Sequence, residues 1–402
     1  MNDGQGFQHK AVILGLYHTG YVTIRALSEH NVPICVFDVE RRWPEKVTRL
    51  ARRFFVRNED EMLERLVNLS DDEEKKPVLY LTSDRYVEFF KRHRSELENR
   101  YLIDFPESEV VDILLKKGCF ARFAAENGYN IPMTFVMSSL EDYHRFSADI
   151  VFPCVLKPFW RTKAWLDAKL RKVHIFNSKS ELERGIEHIA RVEENLIIQQ
   201  YIPGNDREIY FHLMYYNSES KCIGEFTGRK LRQWPVGLGQ TTCAEPAPWA
   251  VEVRGESVRL FDQLKYKGFG SVEFKRHPYE NRFYITEPTV GRQNAQSSIA
   301  PINGTNLSMI AYSALTGISL PSEAKPEKKV FWIDDQYDLF SIAVSAFRGC
   351  LNTKDVFRSY AGRKKFRLFN LKDLRVCIYC WTIVLFSKLF QKIGKRCLLK
   401  TY

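Results

Sequence analysis

Short apolar runs separated by stretches of helical spacing open this chain. KAVILGL (10–16) leads to a helix-like pattern through Ile24 and Leu27, VPICVFD (32–38) follows, and PVLYLTS (77–83) precedes a second helical pattern from about Asp84. Strands spaced by helices imply parallel βαβ units, so the first hundred residues read as an α/β domain. The first strand runs into GLYHTG, where Gly15 and Gly20 suit a tight strand-to-helix turn. The full GxGxxG spacing of a dinucleotide fingerprint is missing, which favours the turn over a bound nucleotide.

At 402 residues the chain exceeds one ordinary core, and two to four domains or subdomains are expected. The apolar run at 11–16 is too short, and wrongly flanked, for a secretory signal, which places the body of the protein in the cytoplasm. Nine scattered cysteines include one CxxC spacing, Cys377 and Cys380, but that pair lies in an apolar run where Cys behaves as a small hydrophobe, so neither a disulfide framework nor a zinc site is indicated. The net charge of +11 is concentrated at one end: residues 363–402 hold eleven Lys/Arg against one acid, Asp373, leaving the rest near neutral. A duplex binder carries its charge across the fold, so nucleic acid is disfavoured as a partner.

Further along, a helical stretch from about Glu107 to Asn127 stops at Gly128, a C-cap, before IPMTFV. VFPCVLKPF (151–159) is a buried-type strand ending on Lys157-Pro158, LIIQQYIPG follows at 196–204, and REIYFHLMYY (207–216) reads as a long strand. EFTGRKLRQWPVGLGQTTCAEP (225–246) reads as a strand running into a loop, a helix spans about 251–267, and GSVEFKR and RFYITEP flank the turn residues HPYEN as a hairpin. Beyond Arg375 the uncharged run before Lys388 holds only twelve residues, short of the ~20 needed to cross a bilayer. Lys388, Lys392, Lys395 and Arg396 share one helical face while Leu389, Phe390 and Ile393 point largely elsewhere. Such a segment either docks on the core or lies in the plane of an anionic membrane surface.

The hairpin carries chemistry. A register centred on Glu280 sets Glu273 directly across from Glu287, with Cβ atoms about 5 Å apart on one face. Two carboxylates so placed repel, and a hard cation such as Mg²⁺ carrying substrate phosphates relieves that repulsion. A one-residue slip would separate them, and two solvated strand glutamates are the plainer alternative. Lys157 closes a buried strand where a cation needs an anionic partner, and Arg229, Lys230, Arg232 and Arg292 add positive charge. Cations for phosphates and carboxylates for a metal together describe a nucleotide-triphosphate site.

The ordered set of Lys117 before a helix, FPCVLKP with Lys157, IIQQYIPGNDREIY, FTGRKLRQWPVGLGQT, SVEFKR and ITEPTVGR resembles the ATP-grasp superfamily, in its carboxylate-amine ligase-like branch related to biotin carboxylase and carbamoyl-phosphate synthase. The resemblance runs from about residue 9 to 320. It implies a Rossmann-like pre-ATP-grasp domain (1–106), an ATP-grasp domain (107–320) with a lid at about 150–200, and a helical, basic extension (321–402). It further implies ATP and Mg²⁺ as cofactors. Lys117 and Lys157 would hold the ATP phosphates, and the backbone of Gln199, Gln200, Tyr201 and Ile202 would read adenine. Asp206 and Glu208 would take the ribose hydroxyls, and Glu273 and Glu287 the magnesium. Where such enzymes carry Glu-x-Asn-x-Arg, this chain reads EPTVGRQN, with Thr289 at the Asn position and Asn294 as the candidate third ligand. In place of a glycine-rich phosphate loop the lid has FWRTKAW, offering Arg161 and Lys163.

The implied activity is amide formation through an acyl phosphate between a small-molecule carboxylate and an amine. An amino acid joined to a cell-surface polysaccharide precursor is one such case. In this reading Arg229, Lys230, Arg232 and Arg292 face the γ-phosphate and the carboxylate, Gly237 and Gly239 let the backbone approach, and His18, His174 and His212 are structural. A non-catalytic ATP-binding regulator or scaffold at the membrane surface is the alternative.

Overall fold

The computed structural model describes residues 7–41, 43–159, 162–171, 173–237, 239–319 and 326–383. Three sheets organise them. The first is parallel, in the order β3-β2-β1-β4, from β1 (Ala11–Leu14), β2 (Ile34–Asp38), β3 (Arg52–Phe55) and β4 (Val78–Leu81). Its crossovers and flanks are α1 (His18–Ser28), α2 (Glu59–Asp71), α3 (Asp84–Arg92) and α4 (Arg94–Arg100). β1, β2 and β4 are buried along their whole lengths, as strands covered on both faces must be. β3, the edge strand RRFF, alternates too little to stand out in the sequence.

The expected single helix over 107–127 is two helices, α5 (Ser108–Leu115) and α6 (Lys117–Glu126), broken where Lys116 is extended at φ −89°, ψ 109°. Neither Gly nor Pro stands at Lys116 itself; Gly118 falls two residues on, inside the first turn of α6. The consequence of the break is that Lys117 opens a new helix. Gly128, at φ +66°, ends α6 as expected of a C-cap region.

The second sheet, β5-β8-β6-β7, is antiparallel and takes in the segment expected as a lid, with β5 (Thr134–Met137), β6 (Cys154–Pro158), β7 (His174–Phe176), β8 (Leu196–Gln200), α7 (Leu140–Phe146), α8 (Lys163–Asp167) and α9 (Lys179–Ala190). It has its own core around Trp165, Leu156, Leu182 and Ile198.

The third sheet has seven strands in the order β13-β12-β9-β10-β11-β14-β15. β9 (Ile209–Tyr216), β10 (Cys222–Trp234), β11 (Gln240–Pro246), β12 (Gly268–His277) and β13 (Arg282–Val290) are joined in antiparallel fashion, with α10 (Val251–Gln263) and α11 (Leu307–Thr316) packed alongside. The stretch 225–246 is thus a hairpin of two strands, not one strand and a loop.

The C-terminal segment is not helical throughout. β14 (Phe331–Ile333) and β15 (Lys364–Phe366) extend this sheet, and α12 (Asp338–Phe347) and α13 (Thr353–Ala361) lie between them. Arg25 donates to the Phe366 carbonyl (2.8 Å), Tyr21 donates to Asp373 (3.3 Å), and the fully buried Arg367 pairs with Glu45 and Asp334. The described part of the extension is therefore docked on α1. The expectations for Lys388, Leu389, Phe390, Lys392, Ile393, Lys395 and Arg396 fall outside the described residues, and no described helix is long and apolar enough to cross a membrane.

Candidate active site

The lid, the central sheet and the N-terminal domain enclose a cleft of about 470 Å³, which shares Lys117, Lys157, Glu287 and Arg292 with a neighbouring chamber of about 310 Å³ under α5 and α6. Lys157 ends β6 and Lys117 begins α6, so two different elements deliver cations to one place. Lys157 Nζ donates to Gln199 Oε1 at 2.9 Å, and Gln199 Nε2 donates to Thr134 Oγ1 at 2.8 Å, fixing the lysine against the lid sheet.

Glu273 of β12 pairs directly with Glu287 of β13. Between this pair and Phe274↔Ile285 the register slips by one, and the extra residue, Thr286, turns its hydroxyl onto the Glu273 carbonyl (3.0 Å). The bulge lies on the turn side of the two carboxylates, so the register centred on Glu280 holds where the chemistry needs it. Lys230 Nζ lies 2.7 Å from Glu273 Oε2. Lys275, two residues along β12, is 9% exposed and donates to the carbonyls of Gly204 (2.8 Å) and Asn205 (3.0 Å). Burial draws its ammonium pKa down to about 8. Arg292 joins the site from beyond β13, bonded to Asp84 (2.6 Å) and Asn294 (3.0 Å).

Several expected residues are elsewhere. Of the three cations on β10 only Lys230 reaches the cleft. Neighbouring strand residues face opposite sides, and the register shifts between Lys230 and Arg232, which turns Arg232 away as well. Arg229 pairs with the buried Glu245 and stacks on Trp249, and Arg232 makes a two-pronged bond to Asp338 (2.8 and 2.7 Å) and reaches Ser359 (3.0 Å). Arg232 therefore joins the central sheet to α12 and α13, and Arg229 braces β10 against β11, so neither lines the cleft.

Asp206 and Glu208 also lie off the cleft wall. Asp206 accepts from Gln233 N (3.0 Å), Gln233 Nε2 (2.9 Å) and Gly237 N (3.2 Å), and so holds the 234–239 loop; Glu208 pairs with Arg276 (2.7 Å). Their carboxylates are spent on protein donors, not offered to a ribose. The amides of Gln200 and Tyr201 donate to Met133 O (2.8 Å) and Pro153 O (2.9 Å), so these two expected hinge donors are already used within the chain.

Asn294 lines the cleft, but its carboxamide oxygen accepts from Arg292 (3.0 Å) and Thr289 (3.4 Å) while its nitrogen donates to Ser271 (2.7 Å). That engagement counts against a third metal ligand, and among the described residues no three His, Cys, Asp or Glu gather as one. Gly237 lines the cleft at φ +92°. Gly239 is required by its own loop, since a Cβ there would meet the Trp234 carbonyl carbon at 2.0 Å. Lys163 is exposed at the start of α8 and lines neither chamber, and Arg161 falls outside the described residues.

The opposite end of the cleft was not anticipated. Tyr17, His18 and Thr19, at the start of α1, meet Gln240 and Thr241 of β11 and Asp334 beyond β14. The GLYHTG turn makes this possible: Gly15 is at φ +96°, and a Cβ on Gly20 would stand 2.0 Å from the Gly15 carbonyl oxygen. His18 is therefore part of the cleft wall, stacked on Tyr17 (3.8 Å between centroids), while burial and the nearby Arg367 keep its pKa well below the usual range. His212 is buried against Thr227 (2.8 Å) and His174 packs on Trp165 inside the lid, and neither lines the cleft. The available signal was the location: ligands gather at the carboxyl ends of parallel strands, where β1 hands over to α1.

No family model matches the chain. It is 20% identical over 324 residues to a D-aspartate ligase of Enterococcus faecium (strain Aus0004), covering 76% of each sequence. Among solved structures it superposes on an ADP complex of PurK, an N5-carboxyaminoimidazole ribonucleotide synthetase, with a TM-score of 0.63, 13% identity and 87% of both chains covered. It also matches the Staphylococcus aureus N5-carboxyaminoimidazole synthetase with ADP (TM-score 0.64, 13% identity, 86% of this chain and 87% of that one). The biotin carboxylase domain of Hydrogenobacter thermophilus 2-oxoglutarate carboxylase, in complex with MgADP, ADP and bicarbonate, gives a TM-score of 0.60 at 15% identity over 80% of this chain and 72% of that one.

Proposed function

We propose that this chain, whose fold is that of the ATP-grasp enzymes it resembles, is an ATP- and Mg²⁺-dependent, ADP-forming carboxylate-amine ligase. The observation that carries this reading is Glu273 facing Glu287 across one ladder, with Lys117, Lys157, Lys230 and Arg292 around the same cleft. The donor set fits a divalent cation: the carboxylate pair already draws one positive charge, the Lys230 ammonium. Glu273 and Glu287 would hold Mg²⁺, which on binding screens phosphate charge.

Lys117 and Lys157 neutralise the polyphosphate, and Lys230 and Arg292 orient the acid. A substrate carboxylate oxygen attacks the γ-phosphorus as the bond to the β–γ bridging oxygen breaks, and ADP departs with that oxygen. The amine then adds to the acyl-phosphate carbonyl, phosphate leaves, and the amine gives up a proton. Phosphoryl transfer needs positioning and charge neutralisation more than a protein nucleophile.

The finer reading joins an amino acid to a carboxylate of a cell-surface polysaccharide precursor, with the enzyme in the cytoplasm and peripheral to the membrane. Likeness to a D-aspartate ligase supports an amino acid as the amine. The exposed Phe347, Phe357, Leu371 and Ile378, near the exposed Lys354, Lys372 and Arg375, support contact with an anionic surface. Flotation with phosphatidylglycerol vesicles that weakens with salt would confirm contact. ADP release that requires both an acid and an amine tests the ligase. No release with any pair in a broad panel, despite tight ATP binding, would instead favour a non-catalytic ATP-binding scaffold, a reading the engaged Asn294 supports.

A further inference from the structure

The part of the cleft wall that α1 and β11 build is polar, buried and incompletely bonded. His18 and Thr241 are each 4% exposed and both line the cleft, yet His18 Nδ1 and Thr241 Oγ1 have no hydrogen-bond partner. They come from different elements, α1 and β11, brought together by the 3₁₀ turn Ala295–Ile299 that packs on both. A buried polar atom left unpaired costs about 1–3 kcal/mol, so two at one corner call for an explanation.

The start of α1 supplies a third unmet demand. The helix is 11 residues long, and its N-cap, Tyr17, offers no side-chain bond. Gly20 and Tyr21 turn their amides back to Tyr17 O, whereas among the described residues the amides of His18 and Thr19 find no main-chain acceptor. First-turn amides at the positive end of a helix favour an anion.

Beside them stands the opposite kind of group. Asp334 lines the same corner; Arg367 Nε approaches it at 3.1 Å and Gln336 N donates to it at 3.1 Å, which leaves further lone pairs on the carboxylate. Burial keeps the His18 imidazole neutral, so one of its nitrogens is a hydrogen-bond acceptor. Anion-seeking amides and amine-seeking acceptors thus lie next to one another.

We propose that this corner is the subsite for the amine substrate, and that it takes an α-amino acid: its carboxylate on the His18 and Thr19 amides, its amino group toward His18, Thr241 and Asp334. The assignment rests on the ligase reading and adds to it the place where the nucleophile binds and the groups that hold it. To react, the amine would leave those acceptors, the carboxylate staying anchored, and add to an acyl phosphate near Lys230 and Glu273, which line the same cleft.

The test uses the full chain with Mg²⁺ and a non-hydrolysable ATP analogue, measured by calorimetry. Both enantiomers of alanine, serine, aspartate, asparagine and lysine are then added, with ethylamine and lactate as probes lacking one group each. At least one amino acid is expected to bind tenfold or more tighter than either probe. That preference should fall at least tenfold in Thr241→Val and in His18→Phe, with affinity for the ATP analogue unchanged as the control for folding. Equal binding of ethylamine, or amino-acid affinity unaltered in both variants while the analogue binds normally, overturns the subsite and leaves the ligase reading standing. Failure of the wild-type chain to bind the analogue at all removes the ligase reading, and the subsite with it.

Discussion

Lys230 Nζ and Glu273 Oε2 are 2.7 Å apart, one on β10 and the other on β12, with β9 running between them. A buried ammonium thus occupies the position beside the carboxylate pair that the ligase reading gives to a metal and a phosphate. Such a cation would stabilise charge that develops on transfer to the acid, and removing one preorganised donor of this kind costs about 10²–10³ in turnover. Lys230→Met is therefore expected to lower the rate of ADP release about a hundredfold at saturating ATP, while the Kd of an ATP analogue changes only a few fold. Unchanged turnover would show that the lysine serves only to neutralise Glu273.

Glu273 and Glu287 present two carboxylates on neighbouring strands, and their substitution separates metal binding from nucleotide binding. Glu273→Gln and Glu287→Gln each remove one charge at nearly constant volume. Each variant is expected to need at least tenfold more Mg²⁺ for half-maximal ADP release, with metal-free binding of the analogue unchanged or tighter, because repulsion of the phosphates falls. Magnesium titrations at fixed ATP give the answer directly.

Much of this arrangement was legible in the sequence wherever a local pattern decided it. The parallel N-terminal sheet follows from alternating strand and helix signals, and the Glu273–Glu287 pairing follows from counting across one turn. Failures occurred where tertiary contacts choose between faces. Arg229, Lys230 and Arg232 are near neighbours, yet strand alternation turns Arg229 from the cleft and a bulge turns Arg232 away as well, and nothing in RKLRQ announces a bulge. Asp206 and Glu208 look available until Gln233, Gly237 and Arg276 arrive from distant segments to use them. The corner at His18 depends on residues 17–19, 240–241 and 334, whose convergence no spacing records.

The C-terminal segment should behave as part of the body. Arg367 is fully buried, paired with Glu45 (3.1 Å) and Asp334 (3.1 Å) and bonded to Gln336 (2.7 Å). Breaking a buried ion pair by removing one partner strands the other charges, at a cost of about 3–5 kcal/mol. Arg367→Met is expected to lose that much in urea unfolding, and the loss should shrink when Glu45→Gln is added, since the stranded carboxylate is then gone. A loss below about 1 kcal/mol would mean that the extension contributes little to holding the N-terminal domain.

His18 gives the fold an acid-sensitive element. Burial first, then Arg367, hold its pKa well below the ordinary 6.5, and Glu45 faces it at 3.7 Å with Tyr17, Tyr337 and Asp334 nearby. The unfolded chain binds a proton at this residue as pH falls below about 6.5, whereas the folded chain does not, so the unfolded state carries the more protons. Stability from this group is thus fully present above about 6.5 and declines as pH drops toward the lower folded-state value. Melting temperatures between pH 7.5 and 5 should fall more steeply for the wild type than for His18→Phe, which has no proton to take up. Parallel slopes in the two proteins would show that His18 titrates normally and that its imidazole is not held neutral at the cleft.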